Sequence, residues 1–257
     1  MLVTNDDGFF AEGIVMLAES LAALGDVVIV APDRNQSAVS HKISLHQPVR
    51  AHELRPKLWV VDGTPTDCVY LGVVELLPSK PALVVSGINA GPNLSQDVHY
   101  SGTVSAAVEA TMLGVPAMAI SAMSPDAESY AHSARFAREL GARVLERGLP
   151  SGVTLNVNVP KGMPTGFAMT CLGVRPYVHA VERRTDPRGR VYFWIGGEPT
   201  AHQDVKGSDC NAVASGAISV TPIETDVTAH EFLGRARERG GPLALDRIAG
   251  FVERGAE

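Results

Sequence analysis

Apolar side chains follow two rhythms along this chain. Short runs rich in β-branched residues, at 2–4, 27–31, 59–62, 82–86, 117–121 and 154–159, read as strands, most of them hydrophobic at successive positions and so buried on both faces. Between several of them lie longer stretches, 11–24, 65–77, 103–113 and 129–147, whose apolar residues recur at helical spacing. Strands without a polar face, separated by amphipathic helices, predict a sheet covered on two sides. The expected fold is therefore α/β: a Rossmann-like, three-layer arrangement around a parallel sheet. Cap chemistry agrees. Thr64 precedes Pro65 with Asp67 three positions on, and Gly25 and Gly114 fall where two of the helices must stop.

Past about residue 160 the rhythm breaks. Glycine, proline and charge become denser, and strands at 191–195 and 217–221 stand beside turn signals such as Asp186-Pro187-Arg188-Gly189. A hairpin-rich extension with terminal helices at 229–239 and 243–252 is expected. The whole reads as one domain, core about 1–160 and extension about 161–257. A long hairpin cannot bury both of its faces alone, so a homodimer or homotetramer is expected.

With 257 residues, 45% of them hydrophobic, the chain has enough apolar material for one large core. A net charge of −6 argues against binding a nucleic-acid duplex, which needs a basic face. It also means that an anionic substrate needs local help from a cation or from backbone amides. Cys68, Cys171 and Cys210 are widely spaced and form no CxxC pair, so buried free thiols are expected rather than disulfides or a zinc site. No apolar run reaches membrane-spanning length and no basic-then-apolar leader opens the chain, so no membrane partner and a cytoplasmic location are expected.

Ligands of doubly wound sheets bind beyond the carboxyl ends of the strands. Three of those ends are polar: Asn5-Asp6-Asp7-Gly8, Asp33-Arg34-Asn35-Gln36-Ser37, and Gly87-Ile88-Asn89-Ala90-Gly91-Pro92-Asn93. Asp6 and Asp7 are adjacent carboxylates, and a divalent cation is the ordinary means of keeping both ionised. Asp6, Asp7, Ser37 and Asn89 offer oxygen only, which suits Mg²⁺, Mn²⁺ or Ca²⁺ rather than zinc. Asn-Asp-Asp-Gly is also good turn composition, but turn composition does not explain oxygen ligands recurring at three strand ends. Next, Ser101-Gly102-Thr103 opens a helix, where free N–H groups and the helix dipole favour a phosphate. It is not a P-loop, since the glycine spacing and lysine are missing. No GxGxxG follows the first strand, no GxSxG elbow exists, and the eight histidines form no HExxH pair.

Taken in order, Val3-Thr4-Asn5-Asp6-Asp7-Gly8, Ala31-Pro32-Asp33 through Ser37-Ala38, Gly63-Thr64-Pro65-Thr66-Asp67-Cys68-Val69, Ser86 through Asn93, and Tyr100-Ser101-Gly102-Thr103-Val104 resemble the SurE survival-protein family. Asn156-Val157-Asn158-Val159-Pro160 and Val220-Thr221-Pro222-Ile223 extend the likeness. The resemblance implies a nucleotidase acting on nucleoside 5′-monophosphates, and on 3′-monophosphates, with one divalent cation per subunit and a swapped C-terminal extension that builds dimers or tetramers. Carried over, Asp6, Asp7, Ser37 and Asn89 hold the cation and Asp6 serves catalysis. Ser101, Gly102 and Thr103 hold the phosphate, with Asn5 and Asn93 beside them. Thr66 departs from the family's usual alanine, and the first strand begins one or two residues short; neither touches an expected ligand. Two other readings compete. A haloacid-dehalogenase-type covalent phosphatase spaces its carboxylates as Asp-x-Asp on one side of the chain, whereas here they are adjacent and alternate in direction. A nucleotide sensor would bind without cleaving.

Overall fold

Leu2, Val3 and Thr4 have no solvent exposure, as expected of a strand flanked on both edges and covered on both faces. The computed structural model describes residues 1–177, 180–196 and 201–237. In chain order the strands are β1 (Leu2–Thr4), β2 (Val28–Pro32), β3 (Ala51–Arg55), β4 (Leu58–Val61), β5 (Val84–Ala90), β6 (Ala117–Ala122), β7 (Val153–Val159), β8 (Phe167–Met169), β9 (Ala180–Thr185), β10 (Val191–Gly196) and β11 (Ile218–Glu224). The helices are α1 (Glu12–Leu21), α2 (Pro65–Leu71), α3 (Gly102–Met112), α4 (Ala127–Arg147), α5 (Asp209–Ala214) and α6 (His230–Ala236). Two compact units are present, Met1–Thr225 and Asp226–Glu257. Within the second, α6 is the described helix, and its His230 meets Asp226 at 2.6 Å.

Nine strands of the first unit form one sheet in the order β3–β4–β2–β1–β5–β6–β7–β11–β8, and β9 pairs with β10 as a separate antiparallel ribbon. From β4 to β7 every pairing is parallel; β3 runs against β4, and β11 against β7. The expected α/β fold is present, with a mixed rather than wholly parallel sheet. Alternate residues face opposite layers. Val3 and Val85 join Ile14, Leu17 and Leu21 of α1 and Ala134 and Ala137 of α4, while Leu2 and Val84 join Val69 of α2 and Val104, Ala107 and Ala110 of α3. Gly13 lets α1 approach the sheet closely: a Cβ there would lie 2.3 Å from the Ile88 carbonyl oxygen. The chain leaves β1 toward β2 on one side and returns to β5 on the other. The order of the sheet therefore reverses at β1, and the crevice beyond the carboxyl ends of β1 and β5 is where such folds bind ligands.

Local chemistry places the helix ends. Thr64 and Asp67 close a reciprocal capping box, Asp67 N to Thr64 Oγ1 at 3.2 Å and Thr64 N to Asp67 Oδ2 at 2.8 Å, with Pro65 at the first helical position. The helix expected over 11–24 turns 3-10 at Ala22–Leu24, and that over 65–77 becomes a π-turn at Gly72–Leu76. Gly72 needs its lack of a side chain, since a Cβ would meet Leu2 Cδ1 at 2.3 Å. The strand expected at 217–221 is β11, which joins the main sheet beside β7 instead of an extension hairpin. That at 191–195 is β10, in the ribbon. The helix expected at 243–252 lies outside the described residues, as do the last two residues of the one at 229–239. All three cysteines are free; Cys68 and Cys210 are buried, but Cys171 is exposed.

Candidate active site

A cleft of about 770 Å³ opens at the reversal point and is lined by Asp6, Asp7, Ser37, Asn89, Asn93 and Ser101 among others. All four residues expected to hold a cation thus face one space, from three separate strand ends. Gln36 N donates to the Asp6 carbonyl at 2.7 Å, tying the loop after β2 to the end of β1. The same loop is held further along by Ser40 Oγ on the His99 carbonyl at 2.6 Å and by His41 Nε2 against Glu109 Oε2 at 2.8 Å. Ser37 therefore sits on an anchored loop while remaining exposed itself.

Asp6 is 3% exposed, and Asp7 beside it is partly exposed. Burial, with repulsion from Asp7, pushes the Asp6 carboxyl up to about 6, although the Thr103 hydroxyl bonded to its Oδ1 works in the other direction. Burial also raises Asp7, whose Oδ1 accepts from Asn35 Nδ2 at 3.1 Å and Oδ2 from Ala90 N at 3.2 Å. Asn89 Nδ2 donates to the Gly91 carbonyl at 2.8 Å, which leaves Oδ1 as the acceptor end of the amide. Among the described residues no three His, Cys, Asp or Glu side chains gather at metal-binding spacing. The donors in the cleft are two carboxylates and neutral oxygens, a set for a hard ion.

The residues expected around the phosphate divide into two groups. Ser101 lines the cleft and caps α3 by accepting from Val104 N at 3.1 Å, while its own N–H is donated to the Asp97 carbonyl at 3.1 Å. Gly102 follows at the first turn of α3, packed so closely that a Cβ would stand 2.8 Å from Asp6 Cβ. Thr103 is fully buried and gives its hydroxyl to Asp6. Asn5 is also fully buried and grips the peptide of Gly8 from both ends, Nδ2 to the Gly8 carbonyl at 2.9 Å and Gly8 N to Oδ1 at 3.2 Å. Their side chains shape the turn and aim Asp6. Asn93 lines the cleft, but its Nδ2 donates to Ser121 Oγ at 2.8 Å and its carbonyl accepts from Asn156 and Asn158. Sequence reasoning overlooked Asp97 and Tyr177, which line the same space as Tyr100 of the motif before α3; no local periodicity or motif links residue 97 with residue 177.

A doubly wound sheet with an acidic, oxygen-lined cleft at its reversal point defines a Rossmann-like ligand-binding α/β protein. Residues 1–179 match the family model "Survival protein SurE". The chain is 51% identical over 238 residues to the 5′-nucleotidase SurE of Geobacter metallireducens, covering 91% of this chain and 94% of that one. It is 53% identical over 230 residues to the 5′-nucleotidase SurE of Syntrophotalea carbinolica, covering 89% and 92%. The crystal structure of the SurE protein from Aquifex aeolicus superposes with a TM-score of 0.80 at 41% identity, over 91% of this chain and 96% of that one. The chain belongs to the SurE family.

Proposed function

We propose that this protein hydrolyses nucleoside 5′-monophosphates, with 3′-monophosphates as further substrates, in the cytoplasm, using one divalent cation per subunit. The observation that carries the reading is the convergence of Asp6, Asp7, Ser37 and Asn89 on one cleft beside the start of α3. The names of the relatives point the same way. The residues fit Mg²⁺, Mn²⁺ or Ca²⁺: a buried carboxylate and its neighbour sit together, and no Lys, Arg or His is among the described residues lining the cleft. When bound, the cation supplies charge neutralisation at phosphorus and a more acidic water.

The chain supplies the rest. Asp6 orients the attacking water and accepts its proton, from a buried position beside Asp7 and the start of α3. Its position comes from Thr103 on one oxygen and from the absence of a side chain at Gly102. The phosphate lies against the first turn of α3, where Ser101 Oγ and the Gly102 N–H face developing negative charge and the helix dipole assists. The β9–β10 ribbon leaves Phe193, Trp194 and Ile195 at 57%, 60% and 89% exposure, and pairing of these surfaces between subunits gives a homodimer or homotetramer. The test is phosphate release from AMP. Protein stripped with EDTA should be inactive and recover with Mg²⁺ or Mn²⁺, and Asp6→Asn should remain folded and lose at least about 10²-fold in kcat. Activity indifferent to chelation would refute the reading.

A further inference from the structure

The cleft has an aromatic wall that the phosphate chemistry leaves unused. Tyr177 donates its hydroxyl to Asp97 Oδ1 at 2.6 Å, and Arg175 Nη1 donates to Asp97 Oδ2 at 2.7 Å. The Arg175 and Asp97 side chains are only 15% and 17% exposed, so this ion pair is largely withdrawn from water. The Arg175 guanidinium carbon lies 5.8 Å from the centre of the Tyr177 ring. The backbone leading to that ring is fixed as well. Ser95 Oγ donates to the Gly173 carbonyl at 2.7 Å, Gln96 Nε2 donates to the Arg175 carbonyl, and Asp209 accepts from Ser95 N at 2.8 Å and from Gly173 N at 2.7 Å. Partial burial and the Asp97 contact push the phenol up to about 12, which favours the neutral ring. A segment some eighty residues away in sequence is thus tied to the 3-10 turn Ser95–His99, and the result is a ring anchored at the cleft.

The rest of the lining says what such a ring is for. Tyr100, 66% exposed and adjacent to the cap residue Ser101, is the other aromatic side chain; Pro92 and Ile195 add apolar surface. The charged side chains among the described lining residues are the carboxylates of Asp6, Asp7 and Asp97. Beyond the transferred phosphate, then, the cleft repels anionic groups and offers a neutral, planar group a preorganised face.

We propose that Tyr177, held by Asp97 and Arg175, is the platform on which the nucleobase of the substrate stacks, making it a specificity-determining residue. This inference rests on the nucleotidase reading and goes beyond it by assigning the base a place. Stacking of a base on an aromatic side chain corresponds to roughly 5- to 100-fold in affinity. The experiment compares kcat/KM for AMP with that for ribose 5-phosphate, which carries the same phosphate and sugar but no base. The ratio of the two is independent of the fraction of enzyme that folds. In Tyr177→Ala the AMP to ribose 5-phosphate ratio should fall roughly 5- to 100-fold, mostly through KM for AMP, and in Tyr177→Phe, which keeps the ring, it should stay within a few-fold of wild type. An unchanged ratio in Tyr177→Ala, or an equal fall in Tyr177→Phe, would overturn the platform while leaving the nucleotidase reading intact. Wild-type enzyme that releases phosphate from neither compound would overturn the nucleotidase reading, and the platform with it.

Discussion

The Thr103 hydroxyl donates to Oδ1 of Asp6, joining residues 97 positions apart in the chain. This bond sets the aim of the acidic pair, because it fixes the buried carboxylate against the start of α3. Partners that orient a ligating or catalytic carboxylate typically contribute 10- to 100-fold to affinity or rate. Thr103→Val should therefore lower kcat/KM for AMP by about 10- to 100-fold, and Thr103→Ser, which keeps the hydroxyl, should recover most of it. Native turnover in Thr103→Val would show that Asp6 needs no such partner.

Gly102→Ala separates activity from stability. A Cβ there would come 2.8 Å from Asp6 Cβ and 3.2 Å from Pro65 Cγ, so Asp6 must shift. Alanine in a helix is favoured over glycine by up to about 1 kcal/mol, which offsets part of the crowding. The expected outcome is a melting temperature within a few degrees of wild type with Mn²⁺ affinity and phosphate release each down at least about tenfold. Calorimetry and a metal titration on the same sample check both halves.

Asp6 also ties stability to pH in the metal-free protein. Its carboxyl is raised to about 6 on folding, mainly by burial, so the folded state holds that proton more tightly than the unfolded chain does. The ionised form therefore destabilises the fold fully above pH 6, and the effect fades as pH falls through 6 toward the unfolded value near 4. In EDTA, Asp6→Asn should be more stable than wild type at pH 7.5, by about 3 kcal/mol at most, and the difference should vanish near pH 4. Denaturant unfolding of both proteins at the two pH values measures it. A variant less stable than wild type at pH 7.5 would contradict the assignment of a destabilised carboxylate to this position.

Thr66 gives an independent stability test. It is fully buried, and its Oγ1 has no hydrogen-bond partner among the described residues. Thr66→Val keeps the shape and removes the stranded hydroxyl, which should stabilise the fold by about 1–3 kcal/mol without changing kcat. A thermal shift upward of a few degrees is expected.

Much of this was legible in the sequence because sheet and site share one logic. Runs such as Val28–Pro32 are apolar on both faces and then turn polar abruptly, and in a doubly wound sheet those changes mark the ligand crevice. What sequence could not show was direction and distant partnership. Asn5 and Thr103 have the right chemistry for a phosphate, yet no sequence pattern shows that the Asn5 side chain also grips Gly8 or that the Thr103 hydroxyl bonds Asp6. β3, with the exposed and mixed residues of Ala51–Arg55, gains its order by pairing at the sheet edge with β4 rather than from its own pattern. β11 reads as a strand anywhere, and only its register against Val153–Asn158 puts it in the main sheet. The Asp97–Tyr177 bond joins the 3-10 turn Ser95–His99 to a distant segment with no periodicity to advertise it.

The central claim is that Asp6, Asp7, Ser37 and Asn89 hold one hard cation beside the start of α3. A crystal soaked in Mn²⁺ and measured at the manganese absorption edge tests it most directly. One anomalous peak per subunit, ligated by both carboxylates together with Ser37 Oγ and Asn89 Oδ1, is the predicted result. No peak there, or a peak ligated by other residues, would contradict it.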